Sequence, residues 1–177
     1  VDRVSGIQSI NPWYPDMLAR LDIPPTVDIK ISGNYDEISR LYTANLEFKS
    51  LQEIVGEFKY NVILVEDSIV WAQAGSSGGP DYVHGWRVRD RMNSAVGELI
   101  FNGVWDPHQT FFDSISHTIA IPTSPAPDIR PEFCRVIVMV YKTGSPLNSN
   151  AEIQQAVQVP LTKPAYDIRL SSSIADV

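Results

Sequence analysis

Apolar and polar residues alternate along this chain in a series of short runs, the period of a half-buried β-strand. The first run opens at Thr26, where Val27, Ile29 and Ile31 are separated by Asp28 and Lys30, and Ser32-Gly33-Asn34 closes it as a turn signal. A second run sets Tyr42, Ala44, Leu46 and Phe48 on one face and Thr43, Asn45 and Glu47 on the other. After a polar break at 52–57, Phe58–Val65 is apolar on both faces, as expected of a central strand. Ser68–Gln73 reads either as its continuation past a bulge or as the return arm of a tight hairpin. Ala74–Pro80, with its three glycines, reads as a flexible loop, and Tyr82–Met92 is open between a strand and a helical turn.

The second half repeats the rhythm. Val96–Phe101 predicts a short strand, with turns at Asn102-Gly103 and Asp106-Pro107. Phe111–Ile121 alternates with Phe111, Ile115, Ile119 and Ile121 on one face, shared by Asp113 and His117. Four prolines from Pro122 to Pro131 predict a stiff extended connection. Arg135–Lys142 is a strongly apolar strand, Asn148–Asn150 a turn, and Ile153–Leu161 a last strand.

No long amphipathic helix and no internal repeat interrupts this pattern. The fold class it predicts is all-β: an antiparallel immunoglobulin-like β-sandwich of about seven to eight strands. Residues 1–25, punctuated by Asn11-Pro12, Tyr14-Pro15 and Pro24-Pro25, read as an irregular N-terminal arm anchored by Trp13 and Tyr14, with room for a short helix at Asp16–Leu21. The sandwich spans 26–161, and residues 162–177 read as a polar tail or linker.

Composition narrows the function classes. The 177 residues are 44% hydrophobic, enough for a packed core. A net charge of -7 argues against nucleic-acid binding, which needs a basic face, and against charge-driven attachment to anionic lipid. No apolar run is long enough for a transmembrane helix. The N-terminus VDRVSGIQSI shows neither the basic nor the apolar region of a signal peptide and has no initiator Met, which reads as a processed or truncated piece. The single cysteine, Cys134, excludes an internal disulfide and lies in the apolar run FCRVIVMVY, the setting of a buried inert thiol.

The polar and aromatic side chains gather between Phe58 and Arg91. No nucleophile elbow, zinc-helix pair, phosphate loop or calcium-loop spacing occurs there or elsewhere, so no catalytic residue is assigned. Gly75-Ser76-Ser77-Gly78-Gly79 lacks the Lys and helix of a phosphate cradle. His84 could meet Asp81, Glu66 and Asp67 in a mixed oxygen and nitrogen metal site if the loop folds back; the plainer reading is a solvated turn, and no metal or other cofactor is assigned. His117 reads as a hydrogen-bonded core or edge histidine, and His108 as a solvated loop residue. Trp71, Trp86 and Trp105, with Tyr82, form either an aromatic platform for sugar rings or packing residues. Arg87, Arg89 and Arg91 would share a strand face, with Asp81 and Asp90 as ion partners pinning the loop.

The blocks YNVILVEDSIVWAQ and YVHGWRVRD, followed by Gly97-Glu98, resemble the outer-membrane-protein-28-related family of Bacteroidota envelope proteins. The matches are Glu66, Gln73, Tyr82, His84, Val88, Arg89, Asp90, Gly97 and Glu98, and RVIVMVYK, IQQAVQVPL and PPTVDIKISGNYD resemble the family's closing hairpin and opening strand. The likeness spans roughly Pro24 to Leu161. Two features depart from it: Gly85 and Trp86 stand where the family has Asn and His, and the thioredoxin-like domain that often precedes the module is missing. A redox role would belong to that domain, because a lone Cys134 cannot cycle a dithiol. The resemblance implies an immunoglobulin-like module of a secreted or outer-membrane-associated protein.

The resulting expectation is a non-catalytic module with a scaffold or protein-contact role, meeting a protein or glycan partner at the cell envelope. The alternative is a carbohydrate-binding module using Trp86, Tyr82 and Trp105. The candidate binding residues are Tyr82, His84, Trp86, Trp105, Asp67 and Gln73; the structural signature is Glu66, Arg89, Asp90, Gly97 and Glu98.

Overall fold

The alternation is realised, in a computed structural model that describes residues 13–72, 81–143 and 151–162, as an antiparallel β-sandwich. The described part of the N-terminal arm holds a helix, α1 (Trp13–Leu21), which begins ahead of the expected Asp16, and is irregular from residue 22 to 25. Tyr14 is exposed among the described residues rather than packed as an anchor; the Trp13 side chain, like Gln73, the 74–80 loop, the 148–150 turn and residues 163–177, lies outside the described residues. The strands follow as β1 (Val27–Asp36), β2 (Leu41–Ser50), β3 (Ile54–Glu66), β4 (Ile69–Val70), β5 (Val83–His84), β6 (Arg87–Arg91), β7 (Glu98–Trp105), β8 (Thr110–Thr118), β9 (Cys134–Lys142) and β10 (Ile153–Pro160).

One sheet has the order β1-β2-β8. The other has the order β10-β9-β3-β6, and β7 pairs β3 beyond the end of β6. Thus β3 is flanked on both edges, by β9 along Phe58–Glu66 and on the other side by β7 and β6 in tandem. Phe58, Tyr60, Val62 and Leu64 of β3 are buried on the face towards the other sheet; on the opposite face Val65 is buried and Ile63 half-buried. The gap between β6 and β7 is bridged by a side chain: Asn93 Oδ1 accepts the Val62 amide at 2.9 Å and Asn93 Nδ2 donates to the Tyr60 carbonyl at 3.0 Å. Asn61, itself buried, donates to the Ser94 carbonyl at 2.8 Å.

The sheets meet across one core in which Phe48 of β2 packs on Tyr60 of β3 with ring centroids 4.9 Å apart. Trp105 closes one end against Phe58, Phe101 and Phe111, its indole N–H donating to the Gln109 carbonyl at 3.0 Å. Polar ties also cross between the sheets: Tyr60 donates to Asp113 Oδ2 at 2.7 Å, and His117 Nε2 lies 2.9 Å from Asp90 Oδ2.

Two expected turns prove to be strand. Ser32-Gly33-Asn34 lies inside β1, where the Tyr42 ring packs so closely on Gly33 that a Cβ would strike its hydroxyl. Asn102-Gly103 lies inside β7, with Gly103 facing Gly56 of β3. Ser68–Gln73 is neither continuation nor hairpin arm of β3: Ser68 turns the chain at φ +56°, and β4 pairs with β5.

Candidate functional site

The acidic pair that ends β3 divides into two environments. Glu66 is fully buried, and Asp67 is half-buried, its Oδ1 accepting the Ser68 amide at 2.8 Å. An isolated buried carboxylate is costly, so Glu66 has to be paired. Arg89 reaches it through a β-bulge: Leu64 pairs with Asp90 and Val65 with Val88, which leaves Arg89 without a partner opposite and frees its side chain to turn inward. Its Nη1 lies 3.2 Å from Glu66 Oε2, an ion contact that lacks hydrogen-bond alignment, while its Nη2 donates to the Pro127 carbonyl.

The second cation is Arg130, from the proline-rich connection. Its Nε donates to Glu66 Oε1 at 2.9 Å, and its Nη2 donates to the carbonyls of Asp67 (3.0 Å) and Ser68 (2.7 Å). Its guanidinium covers the Phe133 ring at 4.3 Å. Two guanidinium groups therefore face one carboxylate, and backbone carbonyls take the surplus donors. Contrary to the pairing expected from the strand pattern, Arg89 meets neither Asp81 nor Asp90: Asp81 is exposed without an ion pair among the described residues, and Asp90 holds His117. Arg130 was missed because it has no periodic neighbours; a buried acid needing a counter-charge was the available signal.

Cys134 adjoins this cluster, donating from Sγ to the Arg130 carbonyl at 3.3 Å. Burial first, and then the Glu66 charge, push its thiol up to about 12, so it is a thiol and not a nucleophilic thiolate at neutral pH.

The aromatic candidates separate. Trp105 is fully buried at 0% exposure, so it cannot belong to an exposed platform; the expected strand stopped at Phe101, whereas β7 runs on to Trp105 and carries its ring into the core. Trp86 is half exposed in a left-handed corner (φ +49°) between β5 and β6, with the Arg135 guanidinium 5.9 Å over one ring face. Tyr82 and His84 form an edge-on pair at 4.7 Å, and His84 Nε2 lies 3.1 Å from the Trp71 carbonyl. Of the acids expected beside His84, Glu66 is taken up by the two arginines, while Asp67 Oδ1 approaches the neighbouring Gly85. Among the described residues no three His, Cys, Asp or Glu side chains converge.

Gly97 and Glu98 lie at the start of β7. Gly97 (φ +73°) leaves room for the Tyr141 hydroxyl, which donates to the Val96 carbonyl at 2.7 Å, and Glu98 Oε1 accepts the Ser94 amide at 3.2 Å. Beside Arg89 a cleft of about 350 Å³ opens, walled by Ile69, Trp71, Val88, Pro127 and Ile129 and edged by Arg87.

No family model and no curated protein sequence matches the chain. Among solved structures it is similar to a domain of the outer membrane lipoprotein Omp28 from Porphyromonas gingivalis, at 15% identity over 80% of this chain and 93% of that one, with a TM-score of 0.49.

Proposed function

We propose that the chain is a non-catalytic β-sandwich module of a secreted or outer-membrane-associated bacterial protein, with a scaffold or protein-contact role. The observation that carries the reading is the Glu66–Arg89–Arg130 cluster. The most polar part of the chain is consumed in bracing the fold, and Glu66 offers no oxygen to a ligand. The surface that this cluster braces is apolar and exposed: Val70 by 53%, Val83 by 57%, Trp86 by 52% and Val88 by 62%. A rigid exposed apolar patch suits protein contact, since little ordering is left to be lost on binding. The envelope placement rests on the resemblance of the sequence blocks around Glu66 and Tyr82. A sugar platform at this surface is disfavoured, because Trp105 is internal and Arg135 lies over one face of Trp86.

The test is site-specific photo-crosslinking in cells of the parent organism, with the photoreactive residue at position 88 or at position 38, where Ile38 is 97% exposed on the β1–β2 turn. Discrete protein adducts from position 88 alone are expected, and Trp86→Ser should abolish them while leaving the melting temperature unchanged, as for surface substitutions within about 0.5 kcal/mol. Equal adducts from both positions, or none from position 88, would overturn the reading.

A further inference from the structure

The outer face of the β1-β2-β8 sheet carries an unusual array. Register places Ser32, Asn45 and Ser114 in one row across the three strands and Asn34, Thr43 and Ser116 in the next. All six are exposed, and none makes a side-chain hydrogen bond among the described residues. Exposed edge strands are commonly protected by charged side chains, and β1 and β8 are the edges of this sheet; these two rows contain neither a charge nor a long chain. Their small size leaves two shallow grooves, of about 560 and about 360 Å³, which meet at Ser32 and Asn45. The adjoining row holds Lys30, Glu47 and Phe112. Lys30 and Glu47 neutralise each other at 2.7 Å, and Phe112 stands 75% exposed on the wall of the second groove.

Serine, threonine and asparagine side chains both donate and accept hydrogen bonds, whereas a carboxylate only accepts and an ammonium only donates. A two-by-three grid of such groups, with strands about 4.8 Å apart, matches a ligand whose polar groups are themselves donors and acceptors. In a chain of net charge -7, a patch with no net charge selects for an uncharged ligand. The exposed Phe112 ring beside it offers an apolar face for stacking. The geometry points to a docking surface for a neutral glycan on this sheet, with Phe112 as the stacking residue and Asn45, Ser32 and Ser114 as the nearest hydroxyl partners. It lies on the opposite sheet from Trp86 and is independent of the proposed protein-contact surface.

Backbone-amide NMR titration of the full chain with cellohexaose, xylohexaose and mannohexaose tests it, with polygalacturonate as the charged comparison. At least one neutral hexasaccharide should shift amides confined to β1, β2 and β8. Phe112→Ala should weaken that binding by roughly two- to tenfold, the range of one aromatic contact. Asn45→Asp should weaken it too, and Val88→Ser should not. Absence of shifts with all three neutral sugars, shifts centred on Trp86, equal binding of polygalacturonate, or indifference to Phe112→Ala would each overturn the assignment.

Discussion

Replacing Arg89 by methionine removes one guanidinium from the buried cluster while nearly keeping its volume. Arg89 is only 10% exposed, and Glu66 is fully enclosed, so water cannot take the place of the lost cation. Removing one partner of a buried ion pair costs about 3–5 kcal/mol. Arg130 stays bonded to Glu66 Oε1 at 2.9 Å, which puts Arg89→Met near the lower end, about 3 kcal/mol. The orphaned groups lead to the same figure: Glu66 Oε2 and the Pro127 carbonyl both lose a partner, at about 1–3 kcal/mol each. In a domain of this size that lowers the melting temperature by about 6–12 °C. Glu66→Leu/Arg89→Met deletes both charges together and leaves Arg130, 39% exposed, to be hydrated; only the Pro127 carbonyl loses its partner, so the loss should be about 1–3 kcal/mol and well short of the sum of the two singles. Urea unfolding with an unchanged m-value reads both variants. A single-variant loss below about 1 kcal/mol, or a double variant equal to the sum of its singles, would refute an enclosed, paired carboxylate.

Two further outcomes follow from other positions. Gly97→Ala places a Cβ against the Tyr141 hydroxyl and the Tyr60 carbonyl at φ +73°, and should cost about 2–3 kcal/mol from backbone strain and the lost hydrogen bond to Val96; urea unfolding that shows less than about 0.5 kcal/mol would contradict the fit. Burial raises the Tyr42 hydroxyl and the Cys134 thiol to about 12 each, and Tyr60 is raised as well, so these groups stay protonated in the fold after they ionise in the unfolded chain. Their contribution is complete below pH 9 and is lost as pH rises towards 12, by about 1.4 kcal/mol per pH unit for each group that ionises only in the unfolded chain; urea midpoints that stay level through pH 11 would exclude it.

The strands were legible where burial imposed a period and illegible where a neighbour overrode local signals. Val27–Ile31, Tyr42–Phe48 and Val136–Val140 alternate because one face of each is in the core. Ser32-Gly33-Asn34 carries the composition of a turn, yet glycine is there to admit the Tyr42 ring, a residue in the next strand. Asn102-Gly103 fails as a turn for a related reason: its partner across the ladder is Gly56, far away in sequence. Trp105 illustrates the limit for large aromatics, whose burial depends on which side of the last strand residue the core ends. Arg130 could not be paired with Glu66 from spacing at all, since 64 residues separate them.

That long-range pairing explains why the cluster is ionic. Hydrophobic residues of the same volume would fill the space beneath β6 at similar stability, but they would not fix where the 120–131 connection runs. The bulge at Arg89, the carbonyls of Asp67, Ser68 and Pro127, and the guanidinium of Arg130 tie three irregular segments to the end of β3 with directional bonds. Strand pairing supplies no such register for segments outside the ladders. The exposed valines and Trp86 are carried on β4, β5 and β6, two of them only two residues long, so their positions depend on this tie rather than on their own packing. Arg89→Met should accordingly blur the Trp86 surface before it unfolds the sandwich, whereas the Ser/Asn/Thr grid, set by the continuous β1-β2-β8 ladder, should keep its geometry in the same variant.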